Sequence, residues 1–190
     1  RRFSEELEQV MSRAERYKHP GALLFFDLDR FKYINDTSGH QAGDALLKMV
    51  AGMLTQTIRT DDITGRLGGD EFAIILPEIN SDGAIEVAKK VLDQLSQAQL
   101  SINGRTHKIS ASIGIALFPD HGANIHDLLA AADLAMYQAK AMGRNAWYLF
   151  SDKDRSRERI QTLVYWKEKI EYSHLHDNFI LYLQPIMTDR

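Results

Sequence analysis

Apolar residues recur along this chain at two spacings, one helical and one extended, and the switches between them outline most of the elements. Phe3, Leu7, Val10, Ala14 and Tyr17 return every three or four residues, which predicts an amphipathic helix ended by Pro20 and Gly21. Residues 22–26 form an unbroken apolar run closed by Asp27-Leu28-Asp29, the pattern of a strand buried on both faces whose end carries polar groups to the sheet edge. Three more helical stripes follow: Leu46, Leu47, Val50, Met53, Leu54 and Ile58; then Ala84, Val87, Ala88, Val91, Leu92 and Leu95; then Ile125, Leu128, Leu129, Ala132, Met136 and Ala139. Between the first two stripes, residues 63–67 and 72–76 flank Gly68-Gly69, which supplies the positive φ angles of a tight hairpin and places Asp70 and Glu71 at its tip. Ile109, Ala111, Ile113, Ile115 and Leu117 alternate with small residues, predicting a long strand with one face on the core, and residues 146–150 predict another strand. The order helix, strand, helix, helix, hairpin, helix, strand, helix, strand predicts an α+β fold with a largely antiparallel sheet.

After residue 150 the character changes. Residues 151–159 are charge-dense, 160–175 read as a helix, and 179–183 followed by Gln184-Pro185 read as a strand, so the expected organisation is one domain over 1–150 and the opening of a second over 151–190. The composition, 44% hydrophobic and 26% charged over 190 residues, suits one globular core with an appendage. A net charge of −3 argues against electrostatic capture of nucleic acid or an anionic membrane, so an anionic substrate would need local positive charge. The absence of cysteine removes disulfides, thiolate nucleophiles and cysteine-ligated zinc, and suits a reducing compartment, with cytoplasm the expectation. No apolar run approaches the ~20 residues of a spanning helix and Arg1 opens no signal-peptide pattern, so no membrane contact is expected of this segment, although a parent protein could be anchored elsewhere.

Asp27 at a strand end and Asp70 at a hairpin tip are two carboxylates placed where side chains project into a cleft, an arrangement suited to Mg²⁺, which takes one or two carboxylates, waters and substrate phosphates. The same residues also fit plainer readings, with Asp27 or Asp29 capping the following helix and Asp70 a solvated turn residue. Asp44 could favour the positive end of its helix, and Asn35-Asp36 could form a turn. Lys140 and Arg144 flank Gly143 where a helix ends, a place that favours cations. Spacing leaves a metal or phosphate site open without choosing it.

The string Arg66-Leu67-Gly68-Gly69-Asp70-Glu71-Phe72 resembles the signature of the GGDEF family of diguanylate cyclases. It is preceded in family order by Phe26-Asp27-Leu28-Asp29-Arg30-Phe31-Lys32, Ile34-Asn35-Asp36, Gly39-His40 and Gly43-Asp44. Ser112-Ile113-Gly114-Ile115-Ala116, Ala131, Asp133, Met136-Tyr137, Ala139-Lys140 and Gly143-Arg144-Asn145 follow it. The resemblance covers residues 1 to about 150 and implies a nucleotidyl-cyclase palm, a five-stranded sheet flanked by helices, that condenses two GTP into cyclic di-GMP and two pyrophosphates. It implies Asp27, Asp70 and the Leu28 carbonyl as ligands for two Mg²⁺ or Mn²⁺ ions, with Glu71 positioning or deprotonating the ribose 3′-hydroxyl. Lys32, Lys140, Arg144 and the Phe31 and Lys32 backbone N–H groups would hold the triphosphate. Asn35 and Asp44 would read guanine, since a carboxylate accepts from guanine N1–H and N2–H₂ but meets an acceptor at adenine N1. His40 and Asp36 match family positions and are expected to shape a loop.

With one nucleotide site per chain and two nucleotides in the product, a homodimer is implied. Arg59-Thr60-Asp61-Asp62 matches the family's Arg-x-x-Asp product-inhibition motif, so Arg59 and Asp62 would bind cyclic di-GMP. The plainer reading is an arginine at a helix C-terminus and an aspartate in a turn. A strand from Asp62 to Gly68 would separate its ends by about 20 Å, so inhibition there would be allosteric. Asn178-Phe179-Ile180-Leu181-Tyr182-Leu183-Gln184-Pro185-Ile186 is similar to the first strand of EAL phosphodiesterases, whose catalytic residues would lie beyond Arg190. The rival reading is a catalytically silent GTP- or cyclic di-GMP-binding module serving an adjoining EAL domain. Retention of the signature acids favours the cyclase.

Overall fold

The structure, a computed structural model, describes residues 2–102 and 105–153, which lie within the first of two compact units, Arg1–Asp154. The helix and strand expected over 160–175 and 179–183 fall outside the described residues. Helix α1 (Arg2–Tyr17) leads to strand β1 (Gly21–Leu28), then α2 (Phe31–Ser38) and α3 (His40–Thr57). The hairpin β2 (Ile63–Gly68) and β3 (Glu71–Leu76) follows, then α4 (Ser81–Gln97), β4 (Gln99–Ile102), β5 (Arg105–Lys108), β6 (Ala111–Phe118), α5 (Ile125–Ala141) and β7 (Ala146–Leu149). Asn80 and Asn124 start α4 and α5 by accepting from the backbone N–H groups of Gly83 and Asp127 at 2.9 and 3.0 Å, caps worth about 1 kcal/mol each. Gly39, at φ 83°, separates α2 from α3 while its N–H donates to the Asn35 carbonyl at 2.9 Å, so Asn35-Asp36 lies inside a helix and is not a turn.

Five strands form one sheet in the order β2-β3-β1-β6-β7, antiparallel except for the β6–β7 pair, which gives the α+β palm that the sequence implies. Alternate β1 residues supply two cores. Leu24, Phe26 and Leu28 pack with α3 and α4 residues such as Leu46, Val50, Ala88 and Val91. Leu23 and Phe25 pack with Leu7 of α1 and with Leu128, Ala132 and Met136 of α5. The sheet is therefore covered on both faces, and β6 corrects the expectation of a strand with one face on the core. Its small residues face α5 in close contact: a Cβ at Gly114 would overlap the Ala132 carbonyl oxygen and the Met136 nitrogen. The two-stranded sheet β4–β5 was not foreseen, although Asn103-Gly104 in the sequence is a strong hairpin signal. Among the described residues no helix is long and apolar enough to cross a membrane.

Candidate functional site

The site begins where β1 runs out of apolar residues. Asp27 lies directly opposite Glu71 in the β1–β3 ladder, and opposed residues of an antiparallel pair project from the same face. Gly69 and Asp70 form the two-residue connection of the hairpin, with Gly69 at φ 48° and a bulge at Leu67. Two contacts fix this tip: Arg66 Nε donates to the Gly69 carbonyl at 2.9 Å, and Leu28 N–H donates to the Asp70 carbonyl at 3.2 Å. The Phe26 and Phe72 rings, stacked with centroids 5.6 Å apart, hold the two strands together one step further in.

Burial raises the Asp27 carboxyl above its ordinary value, and the nearby Asp70 charge adds to it. Lys140, in the last turn of α5, opposes the shift with its Nζ 3.2 Å from Asp27 Oδ1. The shift stays upward despite that ammonium, because lost solvation and the second carboxylate together outweigh one cation. A divalent cation held by Asp27, Asp70 and the adjacent Leu28 carbonyl would counter the shift, and this donor set is all oxygen, as Mg²⁺ prefers. Among the described residues no group of three or more His, Asp or Glu side chains is placed to hold a metal ion, so a larger ligand set would need backbone carbonyls, substrate or water.

Helix α2 starts only three residues after Leu28. Arg30 precedes it in the left-handed region at φ 59° and supplies no side-chain cap, so the first N–H groups, including those of Phe31 and Lys32, have no helical acceptor and are available to an anion. This corrects the capping reading: Asp27 pairs with Lys140, and the Asp29 carboxylate turns to Ser110, Ser112 and the Asn145 N–H. Asn35 rests against Gly43 of α3, where an added Cβ would overlap Asn35 Oδ1 and sit 3.0 Å from Phe31 Cζ. Asp44 is exposed and borders a cavity of about 490 Å³ between α3 and β2 with Lys48, Gly65, Arg66 and Phe72. Lys48 and Arg66 are cations near Asp44 to which sequence reasoning assigned no role. Arg66 had a signal in its place before the hairpin, whereas Lys48 had none.

Arg144 follows Gly143 (φ 116°) in the α5–β7 loop and is itself at φ 64°. It borders a cavity of about 610 Å³ with Asp29, Arg30 and Lys108, while Lys140 reaches Asp27. His40 and Asp36 are exposed helical residues, so the loop-shaping expectation fails for Asp36 and places His40 just after the Gly39 break. At the far end of β2, residues 59–62 form a tight turn in which Asp62 Oδ2 accepts from Arg59 N–H at 2.8 Å and Asp62 N–H donates to the Arg59 carbonyl at 3.2 Å. Arg59 and Asp62 line a cavity of about 510 Å³ with Arg13 and Tyr17 of α1, and the whole of β2 separates them from Asp70.

Helices on both faces of a β1-centred antiparallel sheet, with two carboxylates at the β1 end and the β2–β3 tip, define a nucleotidyl-cyclase palm. Residues 1–146 match the family model described as Diguanylate cyclase, GGDEF domain, and the chain belongs to the GGDEF family. It is 39% identical over 185 residues to the bifunctional diguanylate cyclase/cyclic di-GMP phosphodiesterase MucR of Pseudomonas aeruginosa, covering 96% of this chain and 26% of MucR. It is 37% identical over 142 residues to the probable diguanylate cyclase DgcE of Escherichia coli, covering 75% of this chain and 13% of DgcE. The GGDEF domain of TpbB (YfiN) from Pseudomonas aeruginosa superposes with a TM-score of 0.78 at 37% identity, covering 83% of this chain and 92% of that one. The chain thus spans about a quarter or less of the length of these curated relatives.

Proposed function

We propose that this chain is a diguanylate cyclase domain that condenses two GTP into cyclic di-GMP and two pyrophosphates. The observation that carries the reading is the convergence of Asp27, Asp70, Glu71 and Lys140 at one end of the sheet, next to the uncapped start of α2. Asp27, Asp70 and the Leu28 carbonyl would hold Mg²⁺ or Mn²⁺, two ions per site, and the metal would supply Lewis-acid activation of the 3′-hydroxyl and charge neutralisation at the α-phosphate. Glu71, on the same face as Asp27, takes or orients the 3′-hydroxyl proton. The N–H groups of Phe31 and Lys32, with the Lys32, Lys140 and Arg144 side chains, align the triphosphate. Asn35 and Asp44 select guanine. Each chain binds one nucleotide, so two chains meet across a two-fold axis and each presents its GTP to the other. Cyclic di-GMP returns to Arg59 and Asp62 and inhibits at a distance. Similarity to MucR extends across 96% of the chain, which supports reading residues 151–190 as a linker helix and the opening strand of an EAL-type domain.

The test is incubation of the purified chain with GTP and MgCl₂, followed by chromatographic and mass-spectrometric detection of cyclic di-GMP. Product is expected from the wild type, with specific activity rising with protein concentration, and none from Asp70→Asn of unchanged circular dichroism. GTP binding without product at any protein concentration would replace the cyclase with the silent GTP-binding module.

A further inference from the structure

Among the described residues the buried polar side chains are Asp29, Thr57 and Ser112, and Asp29 alone of these carries a charge. A buried carboxylate with no cation beside it persists only if hydrogen-bond donors saturate it. Among the described residues no basic side chain forms an ion pair with Asp29. Its three donors come from two segments: Ser112 Oγ donates to Oδ1 at 2.8 Å, while Ser110 Oγ and the Asn145 N–H donate to Oδ2 at 2.7 and 3.0 Å. The Asp29 N–H donates to the Ser110 carbonyl at 2.9 Å.

The β1–β6 ladder already joins Asp27 to Ser112 and Leu28 to Ala111, so the serine contacts add to an existing joint. The Asn145 contact is different, because it reaches across to the α5–β7 loop. Arg144 and Asn145 are consecutive non-glycine residues at φ 64° and 46°, a region such residues rarely occupy and one that surrounding structure must enforce. Asp29 Oδ2 accepts from the Asn145 N–H within this segment and so ties it to a strand end only two residues past Asp27.

We infer that Asp29 is a positioning residue for triphosphate binding, holding Arg144 in register with the Asp27 end of β1 through the Asn145 N–H. The inference rests on the cyclase reading, in which Arg144 contacts the triphosphate. An amide at position 29 keeps one acceptor oxygen but no charge, so its bond to the Asn145 N–H is weaker and the loop is held less firmly.

The experiment compares binding of α,β-methylene GTP, which is not turned over, with binding of GMP, which has the same base and no β- or γ-phosphate, both with Mg²⁺. Asp29→Asn is expected to weaken the GTP analogue about tenfold, the lower range for one charge-assisted hydrogen bond, with GMP changed less than about twofold. KM for GTP rises more than kcat falls. In the Asp29→Asn background, Asn145→Gly restores most of the lost affinity, because glycine adopts positive φ unaided. Equal weakening of both nucleotides, or no recovery with glycine, would overturn the inference in favour of a purely structural carboxylate. If Asp29→Asn does not fold, Ser112→Ala decides: it keeps the charge but frees the carboxylate to rotate away from Asn145, and a loss of about threefold confined to the GTP analogue is expected, with wild-type affinity overturning the proposal. A wild type that binds neither nucleotide overturns both this inference and the cyclase reading. A wild type that binds the analogue no better than Asp29→Asn overturns this one alone.

Discussion

Gly43→Ala separates stability from function at the proposed nucleotide site. Gly43 is buried in α3, and a helical Gly→Ala change by itself adds about 1 kcal/mol of stability. The new Cβ would overlap Asn35 Oδ1 and approach Asn35 Cγ and Phe31 Cζ to 3.0 Å. All three atoms are far ends of side chains and none is backbone, so Asn35 can rotate away at a cost of about 0.5–1.5 kcal/mol. The two terms nearly cancel. At about 2–4 °C per kcal/mol for a chain of this size, the melting temperature should stay within about 3 °C of wild type. Function has no such compensation if Asn35 reads guanine as proposed, because the displaced side chain would lose a hydrogen bond worth about 0.5–1.5 kcal/mol. KM for GTP should rise about three- to tenfold, with kcat changed less, measured as cyclic di-GMP formed against GTP concentration. Wild-type KM at unchanged stability would remove Asn35 from guanine binding. A fall of more than about 6 °C would show that the Asn35–Gly43 contact cannot relax as argued.

Asp27→Asn should abolish turnover and yet stabilise the metal-free fold at neutral pH. The folded-state carboxyl is raised above its ordinary 3.8, so the folded protein binds the extra proton and loses stability as pH rises through that window. Melting curves in chelator should therefore show the variant ahead at about pH 7 and the gap closing toward about pH 4, and a gap that widens on acidification contradicts the sign. Gly114→Ala is the reverse case to Gly43, since the added methyl meets the α5 backbone, which cannot swing aside; a loss of about 3 kcal/mol or more is expected, and a melting temperature equal to wild type would refute the close β6–α5 contact. Arg59→Ala should raise the inhibitory concentration of added cyclic di-GMP about ten- to a hundredfold at unchanged initial rates. Equal inhibition of both proteins would return Arg59 and Asp62 to a turn that merely closes on itself.

The amino-acid sequence alone determined α1, β1, α3, α4, α5 and the β2–β3 hairpin, because each is specified by a period or a turn signal read within one window of the chain. It also supplied the acids of the site, with Asp70 at the hairpin tip. The tertiary structure decided what those residues touch. Alternation in β6 showed one apolar face but not what lies on the other, since the helix that presses on Gly114 is brought there only by the tertiary packing. The Asp29 carboxylate was legible only as a possible cap, because its donors stand 81, 83 and 116 residues away and only the closed sheet brings them to it. Lys140 reads as a helix-terminal cation until α5 packs on the same face as Asp27 and brings its ammonium to 3.2 Å. Periodicity encodes which face of an element is apolar, a local property. The pairing of one charged end with another depends on how the faces stack, which is set by the burial of the whole chain at once.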